Sequence, residues 1–141
     1  MKKLMFLFVS LFAISCGTTK TVDKSTNLYE VLTQQSDGGG NIRFFEILSE
    51  PNEIKMLTSD ESLKGKIKED DIHKANFIVL NMGEKNTGGY SIGVEKVEET
   101  DKNIIITVKE TAPNPSDMVM QVITYPYAVV KINSKKEIII K

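Results

Sequence analysis

Ile104, Ile106 and Val108 alternate with Ile105 and Thr107, and just upstream Tyr90, Ile92 and Val94 alternate with Ser91, Gly93 and Glu95. A two-residue period places one set of side chains on each face of a strand, so this stretch is committed to a sheet with one buried face. Thr100-Asp101-Lys102-Asn103 separates the two runs. It reads as the turn of an antiparallel hairpin, with Asn103 able to take a left-handed backbone. The phase slips at Lys96-Val97, which predicts a bulge. Phe77-Ile78-Val79-Leu80 is an unbroken apolar run, as expected of a strand covered on both sides.

Further strands are expected at Leu28–Thr33, Arg43–Leu48, Met118–Thr124, Tyr127–Ile132 and Glu137–Ile140. Ser36 to Gly40 and Asn133 to Lys136 are turns, and Pro113 and Pro115 stiffen the connection Ala112–Asp117. Ser49-Glu50-Pro51 starts one short helix, with Ser49 as its cap and Ile54, Met56 and Leu57 on its buried side. Ser59–Lys74 is charged and poorly patterned, a long surface connection with one helical turn. Seven to eight strands with closely spaced turns and one short helix predict an antiparallel β-sandwich of immunoglobulin-like type, with a small β-barrel as the alternative.

The N-terminal segment has a different character. Lys2 and Lys3 precede eleven apolar residues, Leu4 to Ile14, too few to span a hydrocarbon core of about 30 Å. This is the layout of an export signal. Ala13-Ile14-Ser15-Cys16 resembles the bacterial lipobox, in which a peptidase cuts before a cysteine that is then lipidated. Residues 1–15 are thus expected to be cleaved, Cys16 to carry the lipid, residues 16–26 to form a flexible tether and 27–141 to form a single β domain. Gly17, in place of Asp, points by the same resemblance to the outer membrane. Cleavage leaves 126 of 141 residues and moves the formal charge from −1 to −3, because Lys2 and Lys3 leave with the signal. A weakly acidic domain gives no electrostatic basis for binding nucleic acid. Cys16 is the only cysteine, so no disulfide can form within the chain.

Residues suited to catalysis are few. His73 is the single histidine, and with Cys16 committed to lipid no Cys/His pair can be assembled. Glu69-Asp70-Asp71 lacks the order and the glycine of a calcium loop and reads as a solvated charge run. No cofactor or metal is expected, and the chain reads as noncatalytic.

Gly83-Glu84-Lys85-Asn86-Thr87-Gly88-Gly89-Tyr90 lies between two strands, and its glycines allow positive φ or close backbone approach. Neither a Lys-Ser/Thr pair nor a helix follows, so it is not a phosphate loop. Continued through Ser91 and Ile92, it resembles the GEK-x-TGGYSI core of the protease-complex subunit PrcB family, C-terminal domain. Lys109 to Pro113, Met118 to Gln121 and Thr124 to Val130 resemble that family's second block, so the likeness runs over residues 77–132. Asn86 stands where the family often has proline. The resemblance implies a small lipoprotein component of a surface protease complex, and nothing in it implies catalysis of its own. A more distant likeness links Asn86–Tyr90 to the loop that chagasin-type inhibitors insert into cysteine proteases, although this chain has neither that loop's proline nor any tryptophan.

These readings converge on a membrane-tethered protein-binding module that assembles or stabilises an exported protease complex. The alternative is inhibition of an exported protease through Asn86–Tyr90. The candidate contact residues are Asn86, Thr87, Gly88, Gly89 and Tyr90, with Tyr125, Pro126 and Tyr127 beside them.

Overall fold

The computed structural model describes residues 28–141. The signal, Cys16 and the tether therefore lie outside the described residues. Among the described residues, seven strands form two sheets. They are β1 (Tyr29–Gln35), β2 (Phe44–Leu48), β3 (Asn76–Asn81), β4 (Ser91–Glu99), β5 (Asn103–Thr111), β6 (Tyr127–Ile132) and β7 (Glu137–Ile140). One sheet has the order β1-β6-β3-β2 and is antiparallel throughout; the other has the order β4-β5-β7. Strand β7 runs parallel to β5, pairing Ile104 with Ile138 and Ile106 with Ile140. The predicted sandwich is present and no barrel closes, but the smaller sheet is mixed. A parallel neighbour is possible because the chain leaves the small sheet after β5, pairs as β6 in the large one and returns through Asn133–Lys136.

Between the sheets, Ile78, Leu80, Val130 and Ile132 pack against Ile92, Val97, Ile104, Ile106 and Ile138. The outer face of the large sheet is also covered. Leu32, Leu48, Phe77 and Val129 on that face pack beneath Ile54, Leu63, Ile72 and Ala75. This second core explains the unbroken Phe77–Leu80 run: Phe77 serves the outer layer while Ile78 and Leu80 serve the inner one.

The covering layer consists of α1 (Pro51–Leu57), a 3₁₀ turn (Glu61–Leu63) and α2 (Asp71–Lys74). Ser59–Lys74 is thus not merely a surface connection, since Leu63 and Ile72 plug the outer core. Two apolar residues so far apart in sequence produce no periodic signal. Glu50, not Ser49, caps α1, because the residue before a proline is held extended and here has φ −81° and ψ 142°. Glu53 reaches back to accept from the amides of Glu50 at 3.1 Å and Ser49 at 3.2 Å. Met56 faces solvent, not the core.

The β4–β5 hairpin forms as predicted, with its register shift between Val94 and Lys96. No non-glycine residue among those described has positive φ, so Asn103 does not take the left-handed turn conformation. The Thr100 hydroxyl closes the turn instead, accepting from the Asn103 amide at 2.9 Å and donating to the Asn103 carbonyl at 3.0 Å.

On the outer face, the ammonium of buried Lys131 lies 2.8 Å from Glu30 and 3.6 Å from Asp71. Burial works against its charge, but the hydrogen bond to Glu30 and the Asp71 carboxylate outweigh it and raise the pKa above the ordinary lysine value.

Candidate functional site

The chain crosses from the large sheet to the small one after β3, through residues 82–90, and returns after β5, through residues 112–126. Both crossings lie at the same end of the sandwich and are bonded to each other. Lys85 and Thr124 exchange two backbone hydrogen bonds of 2.9 Å, Gly88 N–H donates to Met120 O at 2.9 Å, and Met82 N–H donates to Pro126 O at 2.9 Å. The Thr124 hydroxyl adds a bond to the Thr87 carbonyl at 2.9 Å.

Met118–Thr124 is therefore not the expected strand. Asn114 and Asp117 close a turn directly after Pro113, in which Asp117 N–H donates to Asn114 O at 2.9 Å and Asn114 N–H donates to the Asp117 carboxylate at 2.8 Å. Beyond that turn the backbone pairs with the glycine loop, leaving only an isolated bridge at Thr124. Freed from a sheet, Met118, Met120, Val122 and Ile123 all point into solvent, Met118 completely.

Two glycines are required by this geometry. Gly83 has φ +77°, and a Cβ there would lie 2.9 Å from the amide nitrogen of Arg43. Gly89 has φ +88°, and a Cβ there would lie 2.9 Å from Pro113 Cβ and 3.0 Å from Val119 Cγ1. Gly89 is thus the point at which the first crossing passes against the second.

The sequence-predicted residues separate into roles. Asn86 and Gly89 are exposed, Thr87 and Tyr90 are half-buried, and Gly88 is buried. Tyr90 packs on the inner core, with the Lys85 ammonium 5.6 Å from its ring centroid. Pro126 is fully buried, and the half-buried Tyr127 packs on the outer core. The Tyr125 hydroxyl sits 3.2 Å from Glu84 Oε2, and partial desolvation together with that carboxylate raises its pKa. The structure brings Asn86–Tyr90 and Tyr125–Tyr127 to one end of the sandwich, but it turns Thr87 and Gly88 toward the return crossing.

Two features are not visible in the sequence pattern. One is the exposure of the apolar row from Met118 to Ile123, which its strand-like sequence would have placed in a sheet. The other is Asn81, 1% exposed at the end of β3. Its amide accepts from Gly40 N at 2.9 Å and donates to Gly40 O at 2.9 Å and to Ile42 O, fastening the Gly38–Gly40 loop beside Tyr125. Gly39 N–H then donates to Tyr125 O at 2.9 Å.

His73 is exposed on α2. Nearby, Asp70 is held below the usual carboxylate range by its hydrogen bond to Lys74 and by that ammonium's charge. Among the described residues no three of His, Cys, Asp and Glu gather in a metal-ligating arrangement, and no helix is long and apolar enough to cross a membrane.

No curated protein and no solved structure matches the chain in comparison. A family model does: PrcB C-terminal, over residues 76–133. The matched segment begins at the first residue of β3, contains both crossings and ends one residue after β6. Residues 76–133 of this chain thus match the PrcB C-terminal model, in agreement with the resemblance carried by Gly83–Ile92 and Thr124–Val130.

Proposed function

We propose that this chain is a noncatalytic binding module, held at a membrane by lipid on Cys16, whose contact surface is the Met118–Ile123 segment braced by the Gly83–Tyr90 loop. The observation that carries the reading is the exposure of Met118, Met120, Val122 and Ile123 within six consecutive residues. Single exposed apolar side chains are ordinary, whereas a contiguous row is the mark of an interaction surface. Methionine suits such a surface because its unbranched, polarisable side chain conforms to a partner. The backbone bonds to Lys85 and Gly88 hold the row in place, which lowers the ordering entropy lost on binding. The PrcB C-terminal match covers both halves of this surface, and the family resemblance makes a component of an exported protease complex the expected partner. The inhibitory alternative needs Thr87 and Gly88 at an exposed tip; Gly88 is buried, and both residues bond to the return crossing, so binding is the reading retained.

Site-specific photo-crosslinking in native membranes tests this. A crosslinker replacing Met118 is expected to yield an adduct with one protein, absent when the crosslinker replaces Lys102 in the distal hairpin turn. The combined change Met120→Lys and Ile123→Lys is expected to abolish it. Equal adducts at both positions, or an adduct that survives those changes, would overturn the reading.

A further inference from the structure

A groove of about 260 Å³ crosses the outer face of the large sheet between α1 and strands β2 and β3. Its floor is Leu48 and Val79, and Leu57 forms a wall. It continues past Val79 into a second recess of about 210 Å³ that reaches Phe44 and Tyr127. The ionisable groups at the groove are all acidic: Glu46, Glu53 and Asp60.

These carboxylates differ from many others in the protein. Glu30, Asp70, Asp71, Glu95, Glu98, Glu99 and Glu110 each have a lysine or arginine partner within 3.6 Å. Glu46, Glu53 and Asp60 form no ion pair among the described residues. Glu53 and Asp60 accept only from backbone amides, at α1 and at the 3₁₀ turn respectively. An apolar floor with unneutralised negative charge at its rim attracts an apolar chain that carries cations.

The neighbouring backbone indicates the form of that chain. The large sheet ends at β2, and Phe44, Glu46 and Leu48 on this edge strand all line the groove or its extension. An extended segment paired along β2 would place alternate side chains into the groove. Edge strands are usually guarded by charged side chains, above all lysine, by proline or by a bulge; Phe44–Leu48 has no lysine, proline or bulge, and its one charge is Glu46.

We propose that the groove and the free edge of β2 receive an extended segment of a partner protein whose groove-facing side chains, every second residue, include both apolar residues and lysine or arginine. A second copy of this chain is a poorer match, because its exposed apolar row follows Asp117 and contains no cation. The groove shares no lining residue with Met118–Ile123, so the two surfaces can succeed or fail separately.

The test uses the full-length protein in phosphatidylcholine nanodiscs, with empty nanodiscs as the blank. The probes are two capped heptapeptides with threonine at every second position; the intervening positions on the other face carry valine and lysine in one peptide, valine and glutamate in the other. Calorimetric titration is expected to show the lysine peptide binding at least tenfold more tightly, with affinity falling as salt rises. The double variant Glu46→Lys/Asp60→Asn keeps a competent cap at residue 60 and is expected to reduce that affinity at least tenfold while retaining the parent melting curve. Amide exchange at residues 44–48 is expected to slow on binding. Equal affinity for the two peptides, no binding of either, unchanged affinity in a folded double variant, or protection confined to other segments would each overturn the proposal. Self-association through β2 in sedimentation, abolished by the same double variant, would also overturn it in favour of a second copy as occupant.

Discussion

Gly88 donates its amide proton to the Met120 carbonyl at 2.9 Å, joining two of the three segments by which the chain passes between its sheets. The bond fixes a division of labour. The glycine-rich loop is the brace, and the methionine-bearing segment opposite it is what solvent meets. Adjacent residues of the loop serve that brace differently, and substitution separates them.

Gly89→Ala and Gly88→Ala should behave differently although the two are neighbours. At Gly89 a Cβ meets Pro113 at 2.9 Å with φ at +88°, whereas at Gly88 the nearest atom is the Met120 carbonyl oxygen at an ordinary 3.7 Å. Denaturant melts are expected to show Gly89→Ala destabilised by about 1–3 kcal/mol. Gly88→Ala should stay within about 0.5 kcal/mol of the parent, as for a substitution that breaks no close contact. Equal losses would mean that the crossings are not packed as described.

Asn81→Leu should destabilise the protein by about 2–4 kcal/mol, because a buried amide that bonds three backbone groups of the Gly40–Ile42 loop is lost. Asn81→Asp should be worse at neutral pH than in acid, since its carboxylate would face the carbonyls of Gly40 and Ile42. Thermal melts of both variants from pH 4 to pH 8 would check this.

The raised pKa of Lys131 makes an alkaline prediction. A group whose folded pKa exceeds its unfolded value contributes stability that is complete below the unfolded value, 10.5 here, and is lost as pH rises through the folded one. The parent should therefore lose stability above pH 10.5 more steeply than Lys131→Met, which has no proton to release. Parallel slopes in melts between pH 9 and pH 11.5 would contradict this.

Peroxide should oxidise Met118, Met120 and Met56 well before Met82, which is 5% exposed. Peptide mass spectrometry over a short time course gives the order. Oxidation of Met82 at the rate of Met118 would contradict the placement of these residues.

On the proposed lipid anchor, Cys16→Ser should move the protein from the membrane fraction to the soluble fraction, because two or more acyl chains are needed for stable anchoring and none could then be attached. Retention of the variant in washed membranes would show that the anchor lies elsewhere.

The sequence by itself determined the strands that need only local information. The hairpin of β4 and β5 follows from alternation and a polar turn, and the doubly buried β3 from four consecutive apolar residues. Motif residues such as Gly83–Tyr90 were equally legible, because tight turns demand glycine whatever surrounds them. Only the tertiary structure decided which apolar residues are covered. Leu63 and Ile72 lie in unpatterned sequence yet are buried, because the outer face of the large sheet needed a lid. Met118 and Met120 lie in strand-like sequence yet are exposed, because the proline-stiffened return crossing directs their backbone to Gly88 and Lys85 instead of to a strand. Periodicity records the period of a segment but not the partner it meets. The candidate contact surface of this protein is a matter of partners, set where two crossings distant in sequence come together.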